Sequence, residues 1–227
     1  MARDVRSSAA ADGTVLRALA LPRVAGMREN HEQAKRRLRR RLRAARSRLP
    51  AGAAAGLSAN VCARTVELPM FVAARYLVAY VPSENEVDPG PVAAAARAAG
   101  KAIYYPRVGQ DRLEFLCPEP DEWVPGPGGI PEPAAGRPLG PDAVRLCFLV
   151  PGVAFDPRGV RLGRGGGWYD RALAAHPGAA RLGLAYEFQV VPFVPEASWD
   201  VRMHVVVTDA RVLAGVERSA EEKENRP

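Results

Sequence analysis

The sequence predicts an α/β protein, with a mostly parallel central sheet covered by helices on both faces and one antiparallel hairpin added. Three observations predict it. Short β-prone apolar runs, among them Tyr76-Leu77-Val78-Ala79-Tyr80-Val81 and Leu146-Cys147-Phe148-Leu149-Val150, read as buried strands with helix-patterned segments between them. Two further runs, residues 102–108 and 113–117, are separated only by a short turn and read as a hairpin. The chain has 227 residues, 48% of them hydrophobic and 25% charged; that suffices for one well-buried domain, whereas two would each be small.

Taken in order, residues 1–27 are Ala-rich and aperiodic and read as a disordered tail, with Met27 a candidate initiator and an acid-poor transit segment the alternative. The folded domain is expected over residues 28–215. Residues 28–49 form a helix, because Leu38, Leu42, Ala45 and Leu49 share one apolar stripe, and Pro50-Ala51-Gly52 stops it. Residues 53–67 read as a second helix, ended by Pro69. The strand at 76–81 runs into the acidic loop Pro82-Ser83-Glu84-Asn85-Glu86-Val87-Asp88, at a strand end where open α/β sheets collect ligands. Those carboxylates also suit solvation and capping of the helix expected at 91–99. Between Pro118 and Asp142 eight prolines argue against regular structure, leaving a linker or a lid. Further strands are expected at 146–150, 181–189 and 204–209, and residues 216–227 read as a disordered tail.

The net charge of +7 points to a nucleic-acid partner until it is localised. Between Arg28 and Leu49 ten Lys/Arg face two Glu, a local +8 that leaves the rest of the chain nearly neutral. The basicity therefore belongs to one helix. Three cysteines without a Cys-x-x-Cys spacing read as reduced thiols of a cytoplasmic protein, and His31, His176 and His204 form no metal-ligand pattern. No apolar run is long enough to span a membrane.

The densest chemistry lies between Phe155 and Arg171. Gly163, Gly165, Gly166 and Gly167 follow a strand end and precede a helix that reads from Tyr169, an arrangement in which backbone N–H groups can converge on a phosphate. Arg158, Arg161 and Arg164 add cations. A plain surface turn accounts for the glycines but not for the arginines or for Asp170, and the spacing is neither a P-loop nor a dinucleotide fingerprint.

Here the chain resembles a known family. Pro151-Gly152-Val153-Ala154-Phe155-Asp156, Gly159 and the run from Arg161 through Leu162, Gly163, Arg164, Gly165, Gly166, Gly167, Trp168, Tyr169 and Asp170 to Arg171 resemble the signature of the 5-formyltetrahydrofolate cyclo-ligases, or 5,10-methenyltetrahydrofolate synthetases. Lys35-Arg36-Arg37-Leu38-Arg39 resembles the family's N-terminal Lys-x-x-Leu-Arg. Glu86-Val87-Asp88 resembles its substrate-binding acidic segment, with Pro89 where Thr is common. Trp123, Gly129-Ile130-Pro131-Glu132-Pro133, Gly183-Leu184-Ala185, Gln189 and Asp200 also match, so the resemblance covers about Lys35 to Asp209.

The resemblance implies a single three-layer α/β/α domain that binds a reduced folate and ATP, with Mg²⁺ as metal; a monomer is the expected form. It implies that Lys35 and Arg39, four apart on one helical face, hold the ATP phosphates. Arg161, Leu162, Gly163, Arg164, Gly165, Gly166, Gly167, Trp168 and Tyr169 would cradle the nucleotide. Val81, Glu86, Arg164, Gly165, Gly166, Gly167 and Trp168 would line the folate pocket, Trp168 standing where Tyr is usual. Asp170 and Asp200 would bind Mg²⁺. Trp123 would be an aromatic wall on a lid, or the anchor of its loop. The implied reaction is ATP-dependent closure of 5-formyltetrahydrofolate to 5,10-methenyltetrahydrofolate with release of ADP and phosphate. Its nucleophiles belong to the substrate, so no nucleophilic triad is required. The alternatives are a non-catalytic relative that binds nucleic acid through the basic helix, and another phosphate-handling α/β enzyme. The enzyme reading requires the Lys35 amine to lie close to the amides around Gly165.

Overall fold

The computed structural model describes residues 31–119, 122–141 and 143–216; the tail expected at 1–27, and that at 216–227 beyond its first residue, lie outside the described residues. Helix α1 (His31–Ser47) turns Leu38 and Leu42 onto Val153, Ala154, Val160, Leu162, Val191 and Val194. The apolar stripe of the basic helix is thus what docks it against the glycine-loop region. Helix α2 (Ala51–Val66) follows. That helix ends before Pro69, as read from sequence, and Pro69 in addition opens a short helix α3 (Pro69–Ala73), since its fixed φ and missing N–H suit a first turn.

Strand β1 (Tyr76–Val78) is shorter than expected, because residues 79–89 leave the ladder to build the acidic loop before helix α4 (Gly90–Ala98). Strands β2 (Ala102–Val108) and β3 (Leu113–Cys117) form the expected antiparallel hairpin. The proline-rich segment is more ordered than its composition suggests. Its strands β4 (Trp123–Pro125) and β5 (Pro131–Pro133) pair with each other, and β6 (Arg137–Pro138) borders β3 at the sheet edge, where a missing N–H is tolerated.

The fully buried strand β7 (Leu146–Pro151) leads into a small hairpin, β8 (Ala154–Phe155) and β9 (Arg161–Leu162), from which the glycine loop enters helix α5 (Trp168–Ala174). Strand β10 (Ala180–Leu184) ends well before Gln189, whose side chain folds back to accept from the Tyr186 amide and to donate to the Gly152 and Val153 carbonyls. Strand β11 (Val205–Val207) continues the sheet. The unanticipated β12 (Val212–Ala214) closes its far edge.

The eight-stranded sheet runs β12-β11-β10-β7-β1-β2-β3-β6. Its five central strands, β11 to β2, are parallel, and antiparallel pairs finish both margins. On one face Val61 and Phe71 from α2 and α3 and Val92 from α4 pack with Leu77, Ile103, Leu149 and Leu182. On the other, Ala172 and Leu173 of α5 pack with Val78, Phe148, Val150 and Val206. The result is three layers, α/β/α. From β1 the chain crosses to β2 on one side, and from β7 to β10 and β11 on the other. The crevice between the ends of β1 and β7 is therefore the topological switch point, where such sheets bind ligands.

Candidate active site

A cavity of about 390 Å³ occupies that crevice. Its walls come from α1, the loop after β1, the β2–β3 hairpin, the proline-rich segment, the glycine loop and the segment before β11. Lys35, Arg39, Val81, Glu86, every residue from Arg161 to Asp170, and Asp200 all line it, so the sequence-derived candidates are gathered in one place.

The two distant cationic elements meet. Arg39 Nε donates to the Gly163 carbonyl at 2.9 Å, and its guanidinium lies beside Gly165. Lys35, 7% exposed, holds its amine 3.1 Å from Asp200 Oδ2, which also accepts from the Ala197 amide at 2.8 Å. Gly165 (φ 113°) and Gly167 (φ 66°) give the loop its bend in conformations that side chains resist. Arg161, 6% exposed, reaches Asp170 Oδ2 at 2.9 Å, while Asp170 Oδ1 accepts from the Val201 amide. Arg161 Nε and the Tyr169 hydroxyl are buried and have no hydrogen-bond partner among the described residues.

Glu86, which lines the same cavity, is held from three sides. Arg164 Nη2 lies 3.1 Å from its Oε1 and also donates to Ser83 Oγ. The Ser83 amide donates to Oε2 at 3.1 Å, and Arg46 Nη1 stands 3.6 Å away. Arg46 was missed from sequence although it is 1% exposed and donates to the Glu84 carbonyl at 2.8 Å and the Gly152 carbonyl at 3.4 Å. Burial lowers its pKa, against the opposing pull of Glu86. The signal was present, for Arg46 stands four residues after Leu42, on the stripe that faces the core. Tyr80 lines the cavity as well, with its hydroxyl on the Val87 carbonyl at 2.6 Å, and burial raises its pKa well above the usual value.

Two expectations are corrected. Arg158 does not join the loop's cavity cations; it pairs with the wholly buried Asp156, whose oxygens also accept the Val160 and Val194 amides and so fix the β8–β9 hairpin. Trp123 is not a wall of the main cavity. It stands edge-on to Tyr105 at 5.0 Å in an adjoining hollow, while Pro127, Ile130, Pro131 and Glu132 of its segment do cover the cavity.

Lys35, Arg39, Arg161 and Arg164 together can neutralise a polyphosphate. Among the described residues no three His, Cys, Asp or Glu gather into a metal cage. The cavity does offer Asp170 and Asp200, which fits an ion such as Mg²⁺ that takes few carboxylates and completes its shell with phosphate and water. No helix among the described residues is long and apolar enough to cross a membrane.

Comparison with known proteins agrees with this geometry. The family model described as "5-formyltetrahydrofolate cyclo-ligase family" matches residues 31–209. The 5-formyltetrahydrofolate cyclo-ligase of Escherichia coli (strain K12) is 33% identical over 156 residues, covering 66% of this chain and 86% of that protein. The NMR structure of Aquifex aeolicus 5,10-methenyltetrahydrofolate synthetase superposes with a TM-score of 0.71 at 32% identity, over 82% of this chain and 95% of that one. A 5,10-methenyltetrahydrofolate synthetase from Mycoplasma pneumoniae gives a TM-score of 0.64 at 25% identity, over 77% and 98%. The family match runs from the first described turn of α1 to the residues just past β11, and so takes in every element that walls the cavity: the chain belongs to the 5-formyltetrahydrofolate cyclo-ligase family.

Proposed function

We propose that this chain closes 5-formyltetrahydrofolate to 5,10-methenyltetrahydrofolate at the expense of ATP, releasing ADP and phosphate. The observation that carries the reading is that Lys35 and Arg39 of α1 line one cavity with the glycine loop and Glu86, Arg39 bonding the loop at Gly163 and Lys35 pairing with Asp200. In this reading Lys35 and Arg39 hold the terminal phosphates, and Arg161 with the loop amides from Leu162 to Tyr169 cradles the nucleotide. Val81, Glu86 and the inner loop from Arg164 to Trp168 hold the folate, the Glu86 carboxylate accepting from the pterin's ring N–H and amino donors. Asp170 and Asp200 hold Mg²⁺, which supplies charge neutralisation at the phosphates.

The formyl oxygen attacks the γ-phosphorus and ADP leaves. N10 then attacks the formyl carbon and gives up its proton, and the original formyl oxygen departs with phosphate. The protein aligns two ligands and neutralises charge, which explains why no protein nucleophile is required. The working form is a cytoplasmic monomer whose catalytic unit spans residues 28–215.

The test is spectrophotometric detection of the methenyl product with and without ATP. Turnover should need ATP, and Lys35→Ala should lose about 2–3 kcal/mol of transition-state stabilisation in kcat/KM. No product from the wild-type chain, or an unchanged Lys35→Ala variant, would refute the reaction or the lysine's part in it.

A further inference from the structure

Tyr169 stands in the first turn of α5, immediately after the glycine loop, and its ring packs against the apolar cluster under the sheet. Tyr169 is one of the residues that line the cavity, and its hydroxyl is buried with no partner among the described residues. A buried hydroxyl left in this state weakens the fold, so its persistence at a cavity wall points to a ligand.

The groups around it are engaged, apart from Arg161 Nε, which is itself buried without a partner among the described residues and so also awaits a ligand. The Arg161 guanidinium lies 5.6 Å from the Tyr169 ring but is directed to Asp170 and the Pro151 carbonyl. The Tyr80 hydroxyl donates to Val87, and Glu86 is held by Arg164 and Ser83. Trp168 offers no substitute, because its indole lies against Gly166 and beneath the Arg171 guanidinium, 4.8 Å from the ring centre.

We propose that the Tyr169 hydroxyl donates a hydrogen bond to the formyl oxygen of bound 5-formyltetrahydrofolate. This deepens the proposed reaction and rests on it. The Tyr169 ring stands 5.6 Å from the guanidinium of Arg161, assigned to the phosphates, in the same cavity as Glu86, assigned to the folate, and the formyl oxygen is the folate atom that must lie between the two ligands. One lone pair of the formyl oxygen accepts from Tyr169 and the other is left aimed at the γ-phosphorus. During ring closure the same donor faces the oxygen as the carbon–oxygen bond breaks and charge flows onto it.

The deciding measurement is equilibrium binding of two folates to the wild type and to Tyr169→Phe in the absence of ATP. 5-Formyltetrahydrofolate should bind about three- to tenfold more weakly to the variant, the worth of one neutral hydrogen bond. Tetrahydrofolate, which lacks the formyl group, should bind both proteins alike. The variant should melt no lower than the wild type, since the hydroxyl it loses has no protein partner. In turnover its kcat/KM for the folate should fall while KM for ATP holds within about twofold. Unchanged affinity for 5-formyltetrahydrofolate, or an equal loss for both folates, would overturn the contact. A lower melting temperature with unchanged binding would mark the hydroxyl as structural only. Absence of turnover in the wild type would remove the proposed reaction, while the binding comparison would still decide the contact.

Discussion

At the scale of single residues, the cavity holds its charges in pairs. Lys35 rests on Asp200 and Arg161 on Asp170, so two of the proposed phosphate-binding cations lie against a proposed metal ligand. Side chains so little exposed do not keep bare charges, and the pairing stores both partners close to where a metal–triphosphate would need them. A nucleotide entering with its ion would take Lys35 to a phosphate and leave Asp200 to the metal. Asp200→Asn should therefore raise the Mg²⁺ concentration for half-maximal rate roughly tenfold, the usual scale for losing a metal-supporting group. Binding of metal-free nucleotide should persist, because the amide oxygen can still accept from the Ala197 N–H. A Mg²⁺ titration identical to the wild type would remove Asp200 from the metal site. Lys35 and Arg39 were legible only through the resemblance of Lys35-Arg36-Arg37-Leu38-Arg39 to the family's Lys-x-x-Leu-Arg, whereas Arg161 and Arg164 stood out as cations among the glycines. Arg46 was not legible, since a helix crowded with arginines hides the one that the apolar stripe carries inward.

Among the elements, α1 decides whether the site exists. It docks through Leu38 and Leu42 on the β8–β9 hairpin and through Arg46 on the loop after β1, while Asn85 Nδ2 donates to the Arg46 and Leu49 carbonyls at its end. Arg46 is thus the joint between α1 and the loop after β1. Arg46→Ala should cost about 3 kcal/mol of unfolding free energy, the lower part of the range for stripping one partner from a buried charge network. Arg46→Lys should recover only part of this, because one ammonium cannot reach the Glu84 and Gly152 carbonyls and both carboxylates together. Urea unfolding of the two variants measures it, and equal stability for Arg46→Ala and wild type would refute the joint. The long helices and the hairpin were legible from period and turn spacing. The helix end before Pro69 was legible too, but the short helix that Pro69 opens was not. The strand ends at Leu184 and Val78 were not, because each depends on partners far along the chain, and β10 stops where Gln189 folds back onto Gly152 and Val153. The strand order at the switch point was likewise beyond any local pattern.

For the whole molecule, the same sheet that gathers the cavity at its edge keeps ionisable groups neutral in its interior. Burial raises the thiol of Cys147, in β7, to about 12 and that of Cys62, on α2, to about 11, from an ordinary value of 9.0. All three cysteines are free; Cys62 and Cys147 are buried, whereas Cys117 is partly exposed. The native state therefore keeps two protons that an unfolded chain would release above pH 9. The stability tied to these protons is fully present below that pH and is lost as pH climbs through the folded values. Each thiol adds a slope of up to about 1.4 kcal/mol per pH unit within its window. Unfolding free energy should then be level in these terms between pH 7 and 8.5, and fall steeply above 9. A Cys62→Ala/Cys147→Ala double variant should be less stable at pH 7, through lost packing, yet show a shallower alkaline decline. Denaturant midpoints taken at half-unit steps of pH compare the two slopes. If the declines run parallel, the interior thiols are not what limits the fold in alkali, and Tyr80, whose buried phenol is also held protonated against the Val87 carbonyl, becomes the group that does.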